Sequence, residues 1–177
     1  MTNSRRTDPR AIRAARRARF PTVRGRRPSR GRHHPASVED VRHALRRFGD
    51  DSYYGLDSVE LVPAPSDSRG LPFGTLASPG HILLYDQPRS PWRVGARLRS
   101  ADRALLEAAG ATVESAGVVT WPDDRLRRFM LGYVLTHEIG HHLLQHERRL
   151  RGARAARTRD HEARADAIAA KLRALLD

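Results

Sequence analysis

Apolar positions along the last third of the chain recur at helical spacing. Leu126, Met130, Tyr133, Val134, His137, His141 and Leu144 share one face, as a period of 3.6 residues demands. Pro122-Asp123-Asp124 supplies a start signal, and no proline interrupts residues 123–151. A second stripe follows at the same period: Glu162, Ala165, Asp166, Ala169, Leu172 and Leu176. It predicts a second helix with that stripe toward the core. Upstream the pattern is shorter and mixed. Ser37-Val38-Glu39-Asp40 opens like a capping box, and Val38, Val41, Leu45 and Phe48 make one helix face that stops at Gly49. Leu56–Val62 and His81–Tyr85 read as strands. Residues 63–80 read as loop with a short strand near 71–76. Ser100–Ala109 reads as a helix with Leu105 and Leu106 inward, and Thr112-Val113 and Val118–Thr120 read as strands. Helix, strands, helix, strands and two closing helices predict an α+β layer arrangement.

The chemistry lies on the two closing helices. His137-Glu138-Ile139-Gly140-His141 is an HExxH pattern. Residues four apart lie one above the other on a helix, so both imidazoles can point at one ion. Glu138 sits roughly 100° further round, within reach of a water beside that ion. Glu162 is the candidate third ligand, and Asp166, one turn on, is placed to accept the second N–H of a ligand imidazole. The return of the chain fits either of two geometries. An antiparallel hairpin turning at Gly152 brings His141 and Glu162 level; alternatively Asp160 caps the second helix after a loop over 152–159.

HEIGH followed by EARAD resembles the gluzincin branch of the zincin metallopeptidases, and within it the ImmA/IrrE-type family. The resemblance covers about residues 130–176. It implies a zincin-like fold, with a small sheet packed on the HExxH helix and a following Glu-bearing helix. It implies one catalytic Zn2+ held by His137, His141 and Glu162, with Glu138 as general base and Asp166 behind a ligand. It also implies endopeptidase activity on a protein or peptide, such as a transcriptional repressor. Nothing after Glu162 is His or Tyr, so the oxyanion role is unfilled or is supplied from upstream. His81 and Tyr85 are the candidates.

Composition changes this picture at one end only. Net charge is +13, but residues 1–35 hold twelve arginines and one acid, Asp8, and so carry +11 of it. With little apolar material there, 1–35 reads as a disordered basic tail before a domain over 36–177. Asp8-Pro9 within it can open a short helix that ends near Arg19. The tail suggests a competing function, a nucleic-acid-binding protein in which the zinc helices are scaffold. There are no cysteines, which excludes disulfides and thiolate metal sites. No apolar run reaches the roughly 20 residues that span a bilayer, and no secretory h-region precedes the domain, so the expected compartment is the cytoplasm, with no membrane partner. His33, His34, His43, His142 and His146 read as surface residues. His161, beside Glu162, is a lesser candidate for the site.

Overall fold

The computed structural model describes residues 19–66, 71–94, 98–150 and 159–176. The main sheet has four strands in the order β1-β3-β5-β4. Strands β1 (Thr22–Gly25), β3 (Ser58–Val62) and β5 (His81–Tyr85) run parallel. Strand β4 (Gly74–Ser78) pairs antiparallel with β5, Leu76 opposite Ile82, and forms one edge. Two smaller sheets flank it. One pairs β2 (Arg32–His33) with β6 (Gln87–Pro88); the other orders β7 (Trp92–Arg93), β9 (Val118–Thr120) and β8 (Thr112–Val113) as β7-β9-β8.

Helix α1 (Val38–Phe48) crosses from β1 to β3. The capping box forms as its sequence requires, with the Ser37 side chain accepting from the Asp40 amide and Asp40 accepting from the Ser37 amide. Val41, Leu45 and Phe48 enter the core with Val59, Ile82 and Leu84. Helix α2 (Ser100–Ala108) turns Leu106 inward but leaves Leu105 41% exposed. The expected inward pair is thus a single residue, since neighbours on a helix sit about 100° apart.

A long helical run then carries the site. It begins as α3 (Arg125–Phe129), continues as a π-helical stretch over Met130–Leu135, and resumes as α4 (Thr136–Leu150). In a π turn the hydrogen bonds run from i to i+5. The Thr136 hydroxyl closes the stretch by donating to the Gly132 carbonyl at 2.6 Å. Helix α5 (Arg159–Arg173) packs along α4. Gly140 is the point of contact: a Cβ there would lie 2.6 Å from the Ala165 carbonyl oxygen, so only glycine permits this approach. Residues 151–158, where the two expected geometries of the return differ, lie outside the described residues.

The boundary expected at residue 35 moves. Residues 1–18, with the helix expected from Asp8, lie outside the described residues. Residues 22–25 are a strand of the main sheet, with Val23 4% exposed in the core. Farther on, Arg32 binds Asp86, a carboxylate with no exposed surface, at 2.6 Å. Burial alone would raise the Asp86 carboxyl. The Ala64 and Ser29 amides and the Arg32 guanidinium outweigh it and hold the group below the ordinary carboxylate value. Part of what reads as a solvated arginine tail is therefore a sheet edge and an ion pair. A single buried valine and one paired arginine are too slight a pattern to announce a strand.

Candidate metal centre

Helices α4 and α5 bring His137, His141 and Glu162 together, with one ligand atom from each within 4.8 Å of the others. The two Nε2 atoms stand 2.9 Å apart, and Glu162 Oε2 lies 3.5 Å from His137 Nε2 and 3.3 Å from His141 Nε2. Ligands that each approach an ion at about 2.0–2.2 Å cannot stand much more than about 4 Å apart. All three separations satisfy that limit. Two imidazoles and a carboxylate also make a donor set that leaves a fourth position open on a tetrahedral ion. This group can hold a metal ion.

Asp166 meets His137 as its sequence position suggests, though not in burial. Its Oδ1 lies 2.9 Å from His137 Nδ1. An ionised carboxylate only accepts, so Nδ1 carries the proton and Nε2 presents its lone pair toward Glu162 and His141. The stripe expected to face the core is turned by one position. The Asp166 side chain is 69% exposed and Glu162 is 46% exposed. The core positions of α5 are His161, Ala165, Ala169 and Leu172, spaced i, i+4, i+8 and i+11. The two acids stand at the rim, where solvent reaches them.

Glu138 is buried beside the ligands and accepts a hydrogen bond from the Leu76 amide at 2.7 Å. That amide lies on β4, the sheet edge nearest the helix. The HExxH carboxylate is thus anchored to the strand by a contact 62 positions away in sequence. A cavity of about 600 Å³ opens beside it, with His137, Glu138 and Asp166 on one wall and Leu71, Phe73, Phe129 and Tyr133 on the others. Phe129 meets Phe73 edge-on at 4.8 Å and lies against Tyr133 at 5.6 Å.

His161 joins the site more closely than its sequence position suggests. It is 1% exposed, and its ring lies nearly parallel to His141 at 5.1 Å. The signal was present in the i, i+4 spacing from His161 to Ala165, but a stripe drawn through the acids hides it. His142 is not a surface residue: it is 2% exposed and donates from Nε2 to the Tyr54 carbonyl at 3.0 Å. His146 is part-buried, edge-on to the Tyr54 ring at 5.4 Å. Of the two oxyanion candidates, His81 is held elsewhere, by Ser58 at 2.9 Å. Tyr85 is half-buried, and its phenol is raised above its ordinary value, first by burial and then by the negative charge of Glu138. It therefore lies within electrostatic range of the general-base candidate. Among the described residues, no helix is long and apolar enough to cross a membrane. Compared with family models, with curated proteins and with solved structures, the chain matches none.

Proposed function

We propose that this protein is a zinc-dependent endopeptidase of the zincin type, resembling the ImmA/IrrE-type family. The observation that carries the reading is the joint placement of two independent supports. His137 is oriented by Asp166 from α5, and Glu138 is oriented by the Leu76 amide from β4. A structural metal site has no use for a buried carboxylate that is adjacent to the ligands yet held apart from them. A hydrolytic site requires one.

His137, His141 and Glu162 would hold the zinc, which when bound supplies a Lewis acid and lowers the pKa of a water toward about 7. Glu138 takes the proton of the attacking water and later delivers it to the leaving amine. The Leu76 amide fixes which way that carboxylate points. The outer edge of β4 offers main-chain hydrogen bonds to an extended peptide. The apolar cavity beside Glu138 accepts a side chain near the scissile bond. Tyr85 is the better placed of the two upstream oxyanion candidates.

Metal analysis of the purified chain, beside cleavage of a denatured protein with and without chelator, tests the reading. Glu138→Gln keeps the shape of the side chain and removes its basicity. Activity should fall by at least about 10²-fold while zinc is retained, the low end for a general base. Wild-type cleavage rates in a zinc-loaded Glu138→Gln protein would remove Glu138 from the mechanism.

A further inference from the structure

A second cavity, of about 770 Å³, lies beside the metal-bearing run and shares Phe129, Tyr133 and Arg173 with the first. It is bounded by α1, the end of α2, the α3 and π segments, and the last turns of α5. Its walls differ in kind from those of the first cavity. Arg47, Arg125, Arg127, Arg128 and Arg173 face it, against one carboxylate, Asp40. Arg127 is neutralised by Asp124 at 2.8 Å and by Asp40 at 3.1 Å, and Arg128 by Asp124 at 3.0 Å. Arg47, Arg125 and Arg173 make no ion pair among the described residues. Arg173 instead lies over the Tyr133 ring, 4.0 Å from its centroid.

Three uncompensated guanidiniums around one cavity repel one another and attract a multivalent anion. Guanidinium forks match phosphate oxygens in pairs, which sets phosphate above a single carboxylate as the preferred head group. Apart from His43 and Asp40, the rest of the lining is largely apolar, with Ala109, Leu131, Ala174 and Leu176. A bare phosphate would leave that surface wet. The volume falls in the roughly 300–1,000 Å³ range of small-ligand clefts. We propose that this cleft binds a small phosphate-bearing molecule with an apolar body, of the nucleotide class. Its phosphates would sit between Arg47, Arg125 and Arg173, and its base on the Leu131–Leu176 side. The inference stands on the cleft's own residues and does not depend on the peptidase reading, because binding alone is measured.

The probes are ADP, inorganic pyrophosphate, adenosine and citrate, titrated by calorimetry into the full-length chain. A His137→Ala/His141→Ala protein is titrated in parallel, so that coordination of the probe to a bound metal is separated from the cleft. ADP should bind saturably below about 1 mM in both proteins, with pyrophosphate weaker and adenosine silent. Arg47→Ala/Arg125→Ala should weaken ADP at least about 10-fold, as expected for lost charged hydrogen bonds. The Lys/Lys pair at the same positions should recover part of it. Both side chains are exposed and without ion pairs among the described residues, so their removal should leave the melting temperature unchanged. Four results would overturn the proposal: no saturable ADP binding up to about 5 mM; ADP binding unchanged in the arginine variant; pyrophosphate as tight as ADP; or citrate as tight as ADP.

Discussion

Helix α4 carries two histidine pairs with the same spacing and different fates. His137 and His141 turn their Nε2 atoms toward each other at 2.9 Å and toward Glu162 on the facing helix. His142 and His146 are also four apart, with rings 5.9 Å from centroid to centroid. They face the segment after α1 instead, where His142 donates to the Tyr54 carbonyl and His146 abuts the Tyr54 ring. Spacing on a helix lets two imidazoles converge, but what stands opposite decides what they do. Opposite the first pair are two carboxylates on α5. Opposite the second are a backbone carbonyl and an aromatic edge, which fasten the helix to its neighbour.

The largest expected difference between the two faces is in metal binding. His137→Ala/His141→Ala should abolish stoichiometric zinc, measured by elemental analysis after dialysis, whereas His142→Ala should keep it. Equal zinc in the two proteins would erase the distinction. A smaller effect is expected behind the first pair. Asp166→Asn loses the carboxylate that orients His137, and zinc affinity in a competitive chelator titration should fall roughly 10–100-fold. Next comes Gly140→Ala, which presses a methyl group into the Ala165 backbone on the α5 side. Overpacking of this kind costs about 1–3 kcal/mol, read as a shift in the urea midpoint.

The subtlest test concerns pH. Burial lowers the His142 pKa below its ordinary 6.5, outweighing the Tyr54 contact, which acts in the other direction. The unfolded chain thus takes up a proton near pH 6.5 that the folded chain refuses. This contribution to stability is fully present above that pH and is lost as pH falls below it. In metal-free protein, His142→Gln should flatten the acid side of the stability profile. His33, which burial also lowers, contributes equally to both proteins. An unchanged slope would show that His142 is not what titrates.

The candidate metal site was legible because it is local. HExxH and the i, i+4 acids each lie within one helix, and a helix converts spacing into geometry without help from the rest of the fold. The partners from elsewhere were not legible. No feature of Leu76 marks its amide as the one that will hold Glu138, since every non-proline residue offers the same donor. The strand β1 is hidden in an arginine-rich stretch: only Val23 is buried, while Thr22, Arg24 and Gly25 are exposed. Strand β4 begins three residues later than its expected start at 71, because the proline- and serine-rich stretch before it carries no alternation to fix a register. The rotation of α5 has a simpler cause: the acids share a stripe with Ala165, Ala169 and Leu172, but the buried face is completed by His161, so Glu162 and Asp166 fall at its rim.

The π-helical stretch over Met130–Leu135 gives the chain an allowance for length. Each α-helical residue advances the winding by about 100°, so a run of i to i+5 bonds absorbs a residue that a regular α-helix would have to place on another face. The aromatic wall at Phe129 and the histidines after Thr136 are in this way set in phase independently of each other. Removing one residue between 130 and 135 would allow the stretch to rewind as an ordinary α-helix with both flanking faces still in register. The same deletion between His137 and His141 would turn one imidazole away from the other and from Glu162. Tolerance to single-residue loss should therefore change abruptly at Thr136, within one unbroken helical rod.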